Sequence, residues 1–433
     1  MADQSPKPAP TFAEAFWLWL KVGLISFGGP AAQIAILQEE LVERRGWVDQ
    51  ASFLRALNFC MLLPGPEAQQ LATFMGLRLH GLKGALAAGI LFVLPGAIVL
   101  FALAWIAAAG GRWPPLAAVF QGFLPVVIAL IAHAVWRIGR RTLETPLAWA
   151  IALAAFVALG LLRIDFPWII AAAIGFGLLA SWRGWKIASA GHGPAAPAVA
   201  LGPLDGWREA RRIGVIACVF AVLWILPVLA VVSLAGPRPF TDVAVFFTKA
   251  AFVTFGGAYA VLPYVANAAV NHYGWLSQAD MGHGLALAET TPGPLILVTQ
   301  FVGFFAGWNA SLAGHTALSP LLAGAIAAGL TTWVTFLPCF LFVLAGAPLV
   351  ERIGQSPKAA GALSAITAAV VGVIATLGFN LSKAAFWPAG RLDPLAVAVA
   401  LIALLALIRF KLSPLWLVMF GGLVGLARLW LSI

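Results

Sequence analysis

Two lysines and two carboxylates are the residues of this 433-residue chain best placed to do chemistry. Lys21 and Lys249 each stand in an apolar run, where a charge is costly and usually serves an ion or substrate pathway. Each is followed by a glycine pair, in Ser26-Phe27-Gly28-Gly29-Pro30 and Thr254-Phe255-Gly256-Gly257-Ala258. A bracketed glycine comes next, Pro64-Gly65-Pro66 and Pro292-Gly293-Pro294. A Pro-Gly-Pro tip stops one helix and starts another, and a new helix N-terminus offers unpaired N–H groups and about half a positive charge. Two tips and two lysines make a cationic chamber, whose ligand is an anion. Asn58, Gln70 and Thr291 add amide and hydroxyl donors suited to an oxyanion. Carboxylates are not suited to it, so Glu67 and Glu289 read as proton carriers, as partners of the lysines or as residues facing an aqueous vestibule. Simpler roles stand beside these: an intramembrane lysine also snorkels or pairs with an acid, with Glu14 two turns before Lys21 a partner in reach. Glycine pairs also serve close helix packing, which is compatible with lining a site.

The elements that carry these residues occur twice. Sliding the chain on itself by 228 positions superposes Lys21 on Lys249, Phe27-Gly28-Gly29 on Phe255-Gly256-Gly257, Gly46-Trp47 on Gly274-Trp275 and the two Pro-Gly-Pro tips. In the first copy an apolar run over 12 to 29 breaks at the glycines and resumes over 31 to 45. Runs over 53 to 63 and 67 to 79 follow, each shorter than the roughly 20 residues needed to span a bilayer. Joined at Pro64-Gly65-Pro66, they predict a re-entrant hairpin. Spanning helices are expected at 84 to 110, 114 to 136, 146 to 162 and 166 to 182, then at 213 to 235. The second copy repeats the pattern with spans at 319 to 345, 360 to 382, 394 to 410 and 414 to 431. The expected fold is an all-α polytopic membrane protein with about nine full spans and four broken short-helix segments. A Gly-, Pro- and Ala-rich stretch from Ala188 to Arg212 reads as a flexible linker, so the repeats are set at 1 to 184 and 240 to 433, with linker and central helix at 185 to 239.

Composition agrees with this class and excludes others. Hydrophobic residues make up 62% of the chain and charged ones 10%, against about 45–50% and about 25% in soluble domains. The net charge of +10 comes from basic residues at the ends of apolar runs rather than a stripe with interleaved aromatics, which argues against nucleic acid. Cys60, Cys218 and Cys339 lie far apart in apolar segments and suggest neither disulfides nor a metal site. No histidine pair has metal-ligand spacing, and no Ser-His pair, cofactor motif or P-loop occurs, so no metal, cofactor or enzyme activity is expected. The first eleven residues show no cleavable signal peptide.

The odd central helix between repeats of four crossings inverts the second repeat relative to the first. Basic residues favour the cytoplasmic side. Residues 31 to 85 carry Arg44, Arg45, Arg55, Arg78 and Lys83, whereas 259 to 325 carry no Lys or Arg. The two hairpins are therefore expected to enter from opposite faces, with the N-terminus cytoplasmic and the C-terminus outside. Inverted repeats with broken helices at mid-membrane are a secondary-transporter architecture.

Several of these stretches carry a family resemblance. Ser26-Phe27-Gly28-Gly29-Pro30, Glu40, Gly46-Trp47, the segment FLRALNFCMLLPGPEAQQLATFMG from Phe53 to Gly76 and GALAAGILFVLPG from Gly84 to Gly96 are similar to the chromate ion transporter family, in particular to long bacterial members with two copies of the domain. The resemblance implies a multi-pass protein of the bacterial inner membrane, surrounded by lipid, that exports chromate and gives chromate resistance, with sulfate as the alternative cargo. It leaves a homodimer open. By motif, it assigns functional positions to Lys21, the Phe-Gly-Gly and Pro-Gly-Pro residues, Glu40 and Glu67. Coupling roles fall to Glu40, Glu67 and Glu289. The second repeat carries Ala258, Ala268 and Leu295 where the first has Pro30, Glu40 and Glu67, so any role of those two carboxylates is not duplicated.

Overall fold

The computed structural model describes residues 10–27, 29–110, 113–185, 187, 206–349 and 357–431. The described residues form sixteen α-helices and no strand. The first repeat comprises α1 (Phe12–Ile25), α2 (Gly29–Gln38), α3 (Gln50–Leu62), α4 (Glu67–Gly110), α5 (Pro114–Thr142), α6 (Pro146–Gly160) and α7 (Phe166–Trp182). After α8 (Gly206–Ala235) come α9 (Phe240–Val253), α10 (Ala258–Asn267), α11 (Gln278–Thr290), α12 (Val298–Leu312), α13 (Pro320–Gly346), α14 (Pro357–Phe386), α15 (Pro394–Arg409) and α16 (Pro414–Leu431).

The breaks fall where glycine and proline require them. Chain direction changes between α1 and α2, between α9 and α10, and at both Pro-Gly-Pro tips. Helix α4 is itself two helices in series, the hairpin's second arm and a full span, separated by non-helical backbone at His80 and Gly81. The duplication extends to local detail. A π-helical turn follows α2 at Glu39–Arg44 and follows α10 at Ala268–His272. Each turn closes through a tryptophan N–H, Trp47 to the Leu41 carbonyl at 2.9 Å and Trp275 to the Ala269 carbonyl at 2.8 Å. The hairpins also start alike. The Asp49 side chain caps α3 by accepting from the Ser52 N–H, and Ser277, one repeat later, caps α11 in a reciprocal box with Asp280.

Three of the expected spans are short, and the linker needs correction. Six of the nine expected spans are long and apolar enough to cross a membrane, the seventh such helix being the hairpin arm Leu295–Leu312. Helices α6, α7 and α15 have only 15, 17 and 16 residues. Each begins on a capping residue followed by proline, Thr145-Pro146, Asp165-Phe166-Pro167 and Asp393-Pro394, which sets its start. At 1.5 Å per residue a 15-residue helix covers roughly 22 Å of a core about 30 Å thick, a mismatch that local thinning of lipid accommodates. The linker is also shorter than expected. Helix α8 already includes residue 206, so Arg208, Arg211 and Arg212 stand on a helix, and Arg212 donates to the Leu344 carbonyl at 3.0 Å. Residues 188–205, with Lys7, Arg112, Lys186 and Arg352, lie outside the described residues.

The repeats interlock. Helix α1 lies on α4 and, one repeat later, α9 lies on α13. Helix α5 packs on α15 and α16 of the other repeat, and α14 packs on α6 and α7. Small residues allow this: a Cβ on Gly122 would sit 2.0 Å from the Gly421 carbonyl, and one on Gly177 would sit 2.5 Å from that of Gly361. The core between the repeats contains fully buried Trp19, Phe53, Phe59 and Phe92 of the first and Phe240, Phe247, Phe301 and Phe304 of the second. In contrast, α8 turns Leu226, Leu229 and Leu234 outward, as a lipid-facing helix would.

Candidate functional site

The four irregular segments meet at one place, in a reciprocal arrangement. The N–H of Gly65, at the first tip, donates to the carbonyl of Thr254 in the second break at 2.7 Å. The N–H of Gly293, at the second tip, donates to the carbonyl of Ser26 in the first break at 2.9 Å. Residues 65 and 293 are one repeat apart, and so are 26 and 254, so each repeat's tip closes the open end of the other repeat's broken helix. Both tip glycines have positive φ, +123° and +91°, a region open to glycine at little cost. Behind them the packing is tight: a Cβ on Gly65 would lie 3.0 Å from the Cys339 sulfur on α13, and one on Gly96 of α4 would lie 2.0 Å from the Pro292 carbonyl.

Polar side chains surround the junction. Gln33, one turn into α2, donates to the Gly293 carbonyl at 2.7 Å and to the Ser26 carbonyl at 3.3 Å. Gln70 donates to the Pro64 carbonyl at 2.7 Å, across its own tip. Thr254 donates to Ala250 and Thr291 to Ala288 within their own helices, whereas the buried Ser26 hydroxyl has no partner among the described residues. Pro66, Pro292 and Pro294 are buried and Pro64 is half-buried, while Phe27 is exposed and Phe255 half-buried. Gly28 lies outside the described residues, and its neighbour Gly29 opens α2 at φ +80°. In the second break Gly256 and Gly257 have φ of +76° and +92°. Asn58 is half-buried on α3 and makes no hydrogen bond with another described residue.

The buried carboxylates come from opposite sides of the junction. Glu67 begins the second arm of the first hairpin, and its Oε1 would lie 3.3 Å from a Cβ built on Gly257. Its Oε2 is buried with no partner among the described residues. Glu289 ends α11 and accepts a short hydrogen bond from the Tyr259 hydroxyl. Tyr259 stands two residues past the second break, with its ring edge 4.0 Å from a Cβ built on Gly29. Glu67 thus lies near the glycine pair of the second repeat, and Tyr259, the partner of Glu289, lies near Gly29 of the first. Sequence reasoning missed Tyr259 and Gln33. The signal was available in Tyr259, one of three tyrosines in the chain and the counterpart of Ala31, and in an amide one turn into an apolar helix.

The lysines are not equivalent. Glu14 is not the partner of Lys21; it caps α1 by accepting from Thr11, two helical turns from the lysine and turned to its own N-terminus. Lys21 instead donates to Glu40 at 2.7 Å, and Arg44 and Arg45 reach the same carboxylate at 3.0 and 3.5 Å. Lys249 is exposed and makes no ion pair with a described residue. At the hairpin entrances, outside the spans, hydrogen bonds from Ser52 hold the Asp49 carboxyl below the usual carboxylate range. Burial pushes Asp280 upward, but His283 and Ser277 outweigh it and leave its carboxyl lowered. A cavity of about 590 Å³ between α5, α14, α15 and α16, with the Asp393–Arg428 pair on its wall, contains none of the tip or break residues, and the candidate site is the junction, where the polar groups converge.

Comparison with known proteins identifies the lineage. The profile of the chromate transporter family matches residues 13–178 and 241–426, one match per repeat. The chain is 32% identical to the chromate transport protein of Pseudomonas aeruginosa over 96% of its own length and 92% of that protein's. It is 27% identical to the chromate transport protein of Cupriavidus metallidurans over 97% and 94% of the two lengths. With the probable chromate transport protein of Synechococcus elongatus the identity is 28% over 85% and 84%. No solved structure matches the chain significantly. Matched in both repeats and over nearly its full length, this all-α membrane protein belongs to the chromate transporter family, a family of transport proteins and not of enzymes.

Proposed function

We propose that the chain exports chromate from the cytoplasm across the bacterial inner membrane and so confers chromate resistance, with the anion passing through the junction of the two breaks and tips. The observation that carries this reading is the reciprocal pair of hydrogen bonds, Gly65 to Thr254 and Gly293 to Ser26. It is the bonding that two repeats related by a two-fold axis would make, and with the axis in the membrane plane the repeats are inverted. With the basic residues of 31 to 85 on the cytoplasmic side, the N-terminus is cytoplasmic, the C-terminus periplasmic, and one hairpin is reached from each side. Similarity to relatives named as chromate transport proteins supplies the cargo.

Energetics support the direction. A dianion leaving a cell that is negative inside gains about 2.3 kcal/mol per charge per 100 mV, or roughly 4.6 kcal/mol in all. That sustains a gradient on the order of a thousandfold without a coupled ion. Glu67 and Glu289 are the carboxylates positioned to carry a proton if one is coupled. Everted vesicles containing the chain should accumulate chromate when energised, and Lys21→Ala should reduce the rate with the protein still folded. Accumulation only in right-side-out vesicles would reverse the direction. A sulfate rate above that of chromate in an oxyanion panel would replace the cargo.

A further inference from the structure

We propose that Lys21, Arg44 and Arg45 form a binding site for a tetrahedral oxyanion dianion at the mouth of the pathway, and that the Glu40 carboxylate occupies this site as a tethered stand-in which the incoming anion displaces. The proposal rests on the export reading above and adds an occupied, competitive site to it.

Three cations converge on one carboxylate. Glu40 Oε1 accepts from Lys21 Nζ at 2.7 Å and from Arg44 Nη1 at 3.0 Å, and Oε2 lies 3.5 Å from Arg45 Nε. The anion is inside and the cations reach outward: the Glu40 side chain is 4% exposed, those of Lys21 and Arg44 45% and 59%. Arg45 Nε is buried and lacks a hydrogen bond, its guanidinium lying 4.8 Å above the Trp47 ring. The site therefore holds more donors than one carboxylate satisfies. Glu39 takes the Arg44 Nη2 at 2.7 Å, and Glu43 turns away to Gln38. With Glu40 withdrawn, three cations and Glu39 leave two positive charges, the complement of a dianion.

The second repeat, which keeps the lysine as Lys249, shows that folding does not require the carboxylate or the two arginines. It builds the same π turn with Ala268, His272 and Tyr273 where Glu40, Arg44 and Arg45 stand. It keeps the ring packing too, with Tyr273 stacked 4.2 Å from Trp275 in the place of Arg45 over Trp47. A structural ion pair would leave a gap when removed, yet the turn without the carboxylate and both arginines closes the same way. The π turn also supplies a way to withdraw Glu40. It holds one residue more per turn than an α-helix, and relaxing that register turns the side chain by about 100°, off the lysine.

The test is oxyanion binding to the purified full-length chain by calorimetry at fixed ionic strength, with sulfate and chromate as probes. Glu40→Gln should tighten the apparent Kd about tenfold or more, and Lys21→Met added to it should remove the gain. Glu43→Gln, outside the cluster, should leave the Kd unchanged. Should Glu40→Gln not fold, Glu40→Asp draws the carboxylate back by one methylene and should also tighten binding. Weaker or unchanged binding in a folded Glu40 variant overturns the proposal. Failure of the wild type and of every folded Glu40 variant to bind either probe overturns the export reading instead.

Discussion

Gly96→Ala is the sharpest test of the junction. A Cβ at this position would lie 2.0 Å from the Pro292 carbonyl, whereas ordinary contact begins at 3.4 Å, so α4 and the second tip must separate by roughly 1.4 Å. That displacement stretches the Gly293–Ser26 bond from 2.9 Å past any hydrogen-bonding distance. Overpacking costs about 1–3 kcal/mol and the lost bond about 1 more, together roughly 2–4 kcal/mol. If transport needs the docked tip, its rate should fall at least tenfold, and the thermal midpoint measured by fluorescence-detected size exclusion should drop. Gly329→Ala on α13 is the control, because nothing lies within 4 Å of its Cβ. A Gly96→Ala protein as stable and as active as Gly329→Ala would refute the claim that the tip is pinned between α4 and the first break.

Tyr259→Phe removes the sole hydrogen-bond donor that a described residue gives Glu289, and should destabilise the protein by about 1–3 kcal/mol and shift the pH profile of transport; an unchanged melt and profile would count against the pair. Lys249→Ala should leave stability within about 0.5 kcal/mol, since no described residue pairs with it, while lowering transport; full transport removes Lys249 from the pathway. The folded Asp49 and Asp280 carboxyls titrate below their unfolded values. Their stabilisation is therefore present above the unfolded pKa, about 4, and is lost as pH falls through the lower folded value. The melting temperature should decline in acid below about pH 4, with a shallower decline in Asp49→Asn, and an identical decline in that variant would refute the capping role.

The duplicated framework was legible because glycine and proline act locally. The breaks near Gly29 and Gly257 and both Pro-Gly-Pro tips lie where those residues alone require them. Helix lengths were less legible at α5 and α14, expected over 114 to 136 and 360 to 382, because α5 continues through Arg137, Arg140 and Arg141 to Thr142 and α14 through Lys383 to Phe386, past the charge that ends each apolar run. Pairing was hidden altogether. Lys21 has Glu14 on its own helix, but its ion pair is with Glu40 across the break, and only the turn of chain between α1 and α2 decides that. Likewise, Gly65 and Thr254 are 189 positions apart, and no local pattern joins them.

The reciprocal tip bonds have a consequence for the history and handling of the chain. A single copy of the domain has a broken helix whose open carbonyl it cannot close and a tip with nowhere to dock, so it is closed only by a second copy. With two copies in one chain the stoichiometry is fixed and the copies need not be identical: the first carries Glu40 and its arginines, the second Tyr259. Severing the chain should therefore give two fragments that are insoluble when expressed singly and rescue each other when expressed together.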